Sequence, residues 1–195
     1  IDICVLNKSS IPDRTSNIML GTESPINKLN EGIQELALLG CEYFVLPCNT
    51  AHYFANQFII PENLKFINMI EETLKYIENT YPNHNVCILG TRGTRKGKIY
   101  ESYPYDVNII YPDESEQEVI MDVIYEIKGS ADKNEIIKAL NQVIEGVSSR
   151  YENTVFVMAC TELSLYTNYF EDVKVVDAMD ALVRETVKRC KSIGQ

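Results

Sequence analysis

Short apolar runs alternate with longer amphipathic stretches along the whole chain. Residues 1–7 (IDICVLN), 43–47 (YFVLP), 64–69, 85–90 (NVCILG), 107–111, 154–159 (TVFVMA) and 173–176 are runs of the length and apolar content of buried strands. Between them, helical patterns are predicted over 25–39, 71–81, 114–128, 132–147 and 178–193. The helix over 132–147 has apolar residues at 136, 137, 140, 143, 144 and 147, the spacing of one helix face. Ser24 and Gly40 bracket the first helix as start and stop signals. Residues 8–16 (KSSIPDRTS) read as a polar loop.

Strands that alternate with helices predict an α/β fold of parallel sheet flanked by helices. The pattern divides near residues 83–85 into two similar halves, each with a strand that runs straight into a cysteine and polar residues, YFVLP-CNT and VFVMA-CTE. The expected organisation is two pseudo-symmetric domains with a cleft between them. The first spans 1–83 and is completed by the terminal helix, 178–195; the second spans 84–177. The strand at 1–7 starts abruptly with no initiator Met, so further residues are expected upstream.

Composition narrows the function. With 45% apolar and 24% charged residues, the chain is an ordinary globular one, not a disordered one. No apolar stretch approaches the ~18 residues that a membrane span needs. Eighteen basic against 28 acidic residues give a net charge of −10, which repels phosphate backbones and argues against nucleic acid as a partner. An anionic substrate must then meet a local positive site. The six cysteines include four in or beside apolar runs and no CxxC pair, which fits reduced thiols in a cytoplasmic protein and gives a zinc site little support.

Cys48 and Cys160 differ from the other cysteines in position. Each follows a strand end and opens a helix, where ligands bind in parallel α/β sheets. Helix-start N–H groups lower a thiol's pKa and attract anions. Two such thiols facing each other across a cleft suit the inversion of a carbon centre. One serves as base on one face and the other as acid on the opposite face, and tuned pKa values let them exchange roles. Each remains open to the alternative of an inert buried thiol.

Residues 47–52 (PCNTAH) and 159–163 (ACTEL) resemble the two cysteine motifs of the aspartate/glutamate racemase family, and 11–15 (IPDRT) resembles the substrate-binding loop of its aspartate racemases. The three come in the family's order, with 34 residues from Arg14 to Cys48 and 112 from Cys48 to Cys160. The resemblance implies racemisation without pyridoxal phosphate or metal, and so no cofactor. It makes Cys48 and Cys160 the acid/base thiols. Asn49, Thr50 and Thr161 would hold the α-carboxylate, and Arg14 the side-chain carboxylate, for which a guanidinium fork is well shaped. It implies a homodimer acting on a small acidic amino acid. It also implies a strand and a Gly-rich loop of GGMGP type ahead of the region seen here.

Other candidates carry two readings each. Lys128 either contacts substrate or complements a helix C-terminus. Thr91 and Thr94 either donate to a carboxylate or cap a helix. Glu162 either steers the substrate amino group or the second thiol, or stabilises a helix start. His52, four residues after Cys48, either tunes the thiol or is structural. For the activity, aspartate racemisation leads. Glutamate racemisation, maleate isomerisation and non-catalytic binding of acidic amino acids are the alternatives.

Overall fold

The structure is a computed structural model that describes residues 1–129, 132–170 and 172–192. Its described strands form two sheets, both wholly parallel. A small sheet pairs β1 (Tyr43–Val45) with β2 (Lys65–Ile67) over three residues. A larger one has the order β4-β3-β5-β6, from β3 (Asn85–Gly90), β4 (Asn108–Ile110), β5 (Thr154–Ala159) and β6 (Val175–Asp177). Parallel pairing demands helical crossovers, and the chain supplies them between strands.

The central strands β3 and β5 pair through all six residues, and five of the six in each are buried. Alternation along them feeds two cores. Val86, Ile88, Val155 and Val157 face α3 (Met69–Thr80) and α7 (Ala178–Ser192). Cys87, Leu89, Phe156 and Met158 face α5 (Glu114–Lys128) and α6 (Lys133–Arg150). Burial on both faces explains why these strands are apolar throughout rather than alternating. A third, smaller cluster joins Ile33 of α2 (Ile26–Leu38) to Phe44 and Leu64. The terminal helix α7 packs on α3, and Arg189 pairs with Glu72 across that contact at 2.6 Å.

Capping sets the helix ends. The Asp113 side chain accepts from the Glu116 N–H while Glu116 reaches back to the Asp113 N–H, a capping box that starts α5. Asn68 and Asp132 cap α3 and α6 by their side chains alone, each accepting from two N–H groups.

Two expectations need correction, and the helices after the strand ends gain definition. Residues 1–7 form no strand; they pair with no other strand, and Ile1, Ile3 and Val5 are exposed. Apolar content alone does not make a strand without a neighbour to complete its ladder. The expected loop at 8–16 instead runs into a helix, α1 (Arg14–Leu20), capped by Asp13 and stopped at Gly21, whose φ of 68° is left-handed. The short helix α4 (Arg92–Lys96) follows β3. The segments after the two site cysteines are 3₁₀ helices, Asn49–Gln57 and Leu163–Tyr169. Residues 193–195 of the predicted last helix lie outside the described residues.

Candidate active site

The carboxyl ends of β1, β3 and β5 supply most of the predicted site residues, β1 leading to Cys48, β3 to Thr91 and β5 to Cys160, while Arg14 comes from α1 and Lys128 from the end of α5. This is the edge of a parallel sheet where helix starts and strand ends leave polar backbone available to a ligand.

Cys48 is the N-cap of the first 3₁₀ helix and is half-buried. Among the described residues its thiol makes no hydrogen bond, but its backbone is held. His52, one turn on, lies 2.9 Å from the Cys48 carbonyl through Nδ1 and accepts the Met69 N–H at 3.2 Å through Nε2. With Nε2 an acceptor, Nδ1 carries the proton and donates to Cys48. The ring is buried and stacked on Phe66 with centroids 5.5 Å apart. Burial, against the pull of the Cys48 and Asn49 backbone contacts, lowers the His52 pKa to about 4. His52 is thus a neutral strut between the Cys48 loop and the start of α3.

Next to Cys48, two side chains turn inward. Thr50 is buried, and its hydroxyl lies 2.9 Å from that of Thr91 and 3.2 Å from that of Thr94. Thr15 of α1 joins them, donating to Thr91 at 3.4 Å. Four threonine hydroxyls from three segments, α1, the helix after Cys48 and the start of α4, therefore meet at one point. Thr91 also caps α4, accepting the Thr94 N–H at 3.2 Å, so both readings of this residue hold geometrically. The cluster can close only because residue 93 is glycine: a Cβ there would stand 2.9 Å from Thr50 Cγ2 and 3.1 Å from Thr15 Cα. Asn49, also buried, accepts the Tyr100 hydroxyl at 2.6 Å through Oδ1, and its Nδ2 has no partner among the described residues.

Cys160 is half-buried and its thiol donates to Glu162 Oε2 at 2.8 Å. The Thr161 hydroxyl donates to the same oxygen at 3.1 Å, and Lys128, the last residue of α5, stands 3.3 Å from Glu162 Oε1. Burial raises the Cys160 thiol pKa, and the Glu162 hydrogen bond and charge add to it; the Glu162 N–H opposes, and nearby Cys48 adds a further upward push. Burial alone would raise Glu162, but the Cys160 thiol, its own N–H and Lys128 hold it below the usual carboxylate range. Asp13 is lowered in the same way against burial by the Ser16 N–H, then by Arg14 and Lys128. Arg14 opens α1 with Nη1 donating to the Pro12 carbonyl at 3.3 Å, and among the described residues it forms no ion pair.

Contacts link the predicted residues to one another. Thr50 and Thr91 share the hydroxyl cluster, and Thr161, Glu162 and Lys128 gather beside Cys160, while the Arg14 side chain hydrogen-bonds to its own loop. Thr15, Asp13, Gly93 and Tyr100 were not among the candidates. The first two adjoin Arg14 in IPDRT and Gly93 sits inside 91–94 (TRGT), so local motif context could have found them. Nothing local marks Tyr100, which reaches Asn49 across 51 residues of chain. Among the described residues no three His, Cys, Asp or Glu side chains gather as a metal site, and no helix is long and apolar enough to cross a membrane.

Known proteins resemble this chain along most of its length. The Asp/Glu/hydantoin racemase family model matches residues 1–186. The chain resembles the broad specificity amino-acid racemase RacX of Bacillus subtilis, with 26% identity over 160 residues, 80% of this chain and 68% of that protein. Its structure resembles that of Picrophilus torridus aspartate racemase at 28% identity and a TM-score of 0.81, covering 94% of this chain and 77% of the other. A putative Asp/Glu racemase from Yersinia pestis shares the fold at 23% identity and a TM-score of 0.65, over 80% and 69% of the two chains. The chain belongs to the Asp/Glu/hydantoin racemase family, and its enzyme class is amino-acid racemase.

Proposed function

We propose that this enzyme interconverts L- and D-aspartate by a two-base mechanism on Cys48 and Cys160. The observation that carries the reading is the matched placement of the two cysteines, each just past the carboxyl end of a parallel strand, β1 for Cys48 and β5 for Cys160. One sulfur, as thiolate, removes the α-hydrogen as a proton. The electron pair left on Cα spreads into the α-carboxylate. The other sulfur, as thiol, delivers its proton to the opposite face, and the two thiols end with their protonation states exchanged.

The α-carboxylate gains charge in this step, and donors aimed at it lower the barrier. Asn49 Nδ2, buried without a partner, and the hydroxyls of Thr50, Thr91 and Thr94 are suited to that work. Arg14, with no ion pair among the described residues, suits the side-chain carboxylate and supplies the local positive charge that a chain of net −10 needs. The name of the Picrophilus torridus relative supports aspartate over glutamate. One methylene separates the two substrates, and a pocket discriminates that by only ~1–3 kcal/mol. The same reading extends to a homodimer with reduced thiols in the cytoplasm.

The test is proton NMR of L-aspartate in D₂O with reduced enzyme and no pyridoxal phosphate. Loss of the Cα–H signal together with D-aspartate on a chiral column is the expected result. Exchange with glutamate only would move the substrate assignment, and exchange with neither would overturn the reading.

A further inference from the structure

The two thiols sit in unlike surroundings. Cys48 lies at a helix start with no hydrogen bond to its sulfur among the described residues, whereas Cys160 donates to a carboxylate at 2.8 Å. That carboxylate is not free to move away. Thr161 Oγ1 and Lys128 Nζ hold its two oxygens, at 3.1 and 3.3 Å. The titratable and charged groups around Cys160 are thus Glu162, Lys128 beyond it, Cys48, and Tyr100, whose phenol also feels Asp177. Glu162 is the anion in direct contact with the sulfur.

Resting on the two-thiol reading above, we propose that Glu162, held by Thr161 and Lys128, is a positioning residue that keeps Cys160 in its thiol form in the free enzyme. The free enzyme then rests with Cys160 as the proton donor and Cys48 as the sulfur that reacts as base. A hydrogen bond from a thiol to a carboxylate is lost when the thiol ionises, and two anions are left facing each other at contact distance. Lys128 sets the size of the effect, since its charge offsets part of that repulsion. After one turnover Cys48 holds the proton and Cys160 faces Glu162 as thiolate. Return of a proton to Cys160, from solvent or from the reverse reaction, restores the resting form. Enantiomers have equal free energies, so kcat/KM must be the same in both directions and cannot report this inequality. The thiols have to be read directly.

Iodoacetamide alkylation of the full chain without substrate does so, because only the thiolate sulfur displaces iodide and site-resolved mass spectrometry follows each cysteine separately. Comparing each cysteine with itself across pH removes differences in access. In the parent enzyme the rise of Cys160 alkylation with pH should begin at least one pH unit above that of Cys48. Glu162→Gln should move the Cys160 rise to lower pH and speed its alkylation at pH 8 about tenfold, with Cys48 changed less than twofold. Lys128→Met, at a half-exposed helix end where folding is not at risk, should move the Cys160 rise the opposite way. Coincident rises for both cysteines in the parent, or a Cys160 rise that neither variant moves, would overturn the proposal. No substrate enters the experiment, so its outcome is independent of whether aspartate is racemised.

Discussion

The Tyr100 hydroxyl donates to Asn49 Oδ1 at 2.6 Å, and this contact decides which way the Asn49 amide points. Both groups are buried, so the amide cannot turn over without leaving one of them unsatisfied. That orientation leaves Nδ2 as a buried donor without a partner among the described residues.

Tyr100→Phe is therefore expected to act on binding and on stability together. The amide loses its anchor, at a cost of about 1–3 kcal/mol for a buried group left unpaired. KM for aspartate should rise by roughly tenfold, the equivalent of one such hydrogen bond. Thermal melts and initial rates read the two effects separately.

Either cysteine variant, Cys48→Ala or Cys160→Ala, should reduce racemisation by about 10²–10⁴-fold, the range of a lost acid or base. Both cysteines are only half-buried, and Cys160 packs against the core between the sheet and α5 and α6, so the melting temperature should change little for Cys48→Ala and fall modestly for Cys160→Ala. Chiral chromatography of the product checks the first outcome and calorimetry the second.

Gly93→Ala tests the threonine cluster. The new methyl meets Thr50 Cγ2 at 2.9 Å and the Thr15 backbone at 3.1 Å, so α1 or the Cys48 helix must shift. Overpacking of this kind costs about 1–3 kcal/mol. The expected signature is a lower melting temperature with a raised KM. An unchanged KM would mean that the hydroxyl cluster does not touch substrate.

His52 makes stability depend on pH. Its folded pKa is lowered to about 4 from an ordinary 6.5. Between those values the unfolded chain binds a proton that the folded chain does not, so stability falls as pH falls through that window. The contribution is complete above pH 6.5 and lost below pH 4, and amounts to about 3 kcal/mol. His52→Phe, which keeps a ring against Phe66, should flatten this part of the profile in denaturant titrations at pH 4 to 7. It should also raise KM or lower kcat by releasing the Cys48 carbonyl.

Much of this was legible in the sequence, for identifiable reasons. β3 and β5 are buried on both faces, so their apolar runs were unmistakable and their ends match expectation. Cys48 and Cys160 stood out because a polar cysteine motif directly follows such a run. α1 did not, because a seven-residue helix with no buried residue has no apolar face to show. Residues 1–7 misled for the opposite reason: apolar composition suggested a strand, and pairing, which no single segment encodes, decides whether one forms. Tyr100 was invisible because its role comes from a contact made only in the folded chain.

The two sheets differ in size, and this has a mechanical consequence. Cys160 hangs from a strand locked to its neighbour along six residues, whereas Cys48 hangs from a ladder of three. The first support opens only when most of the molecule does; the second can breathe by itself. Amide hydrogens of β3 and β5 should accordingly outlast those of β1 and β2 in heavy water by orders of magnitude. If the site tightens around a bound molecule, the Cys48 side is the jaw that travels and the Cys160 side is the anvil.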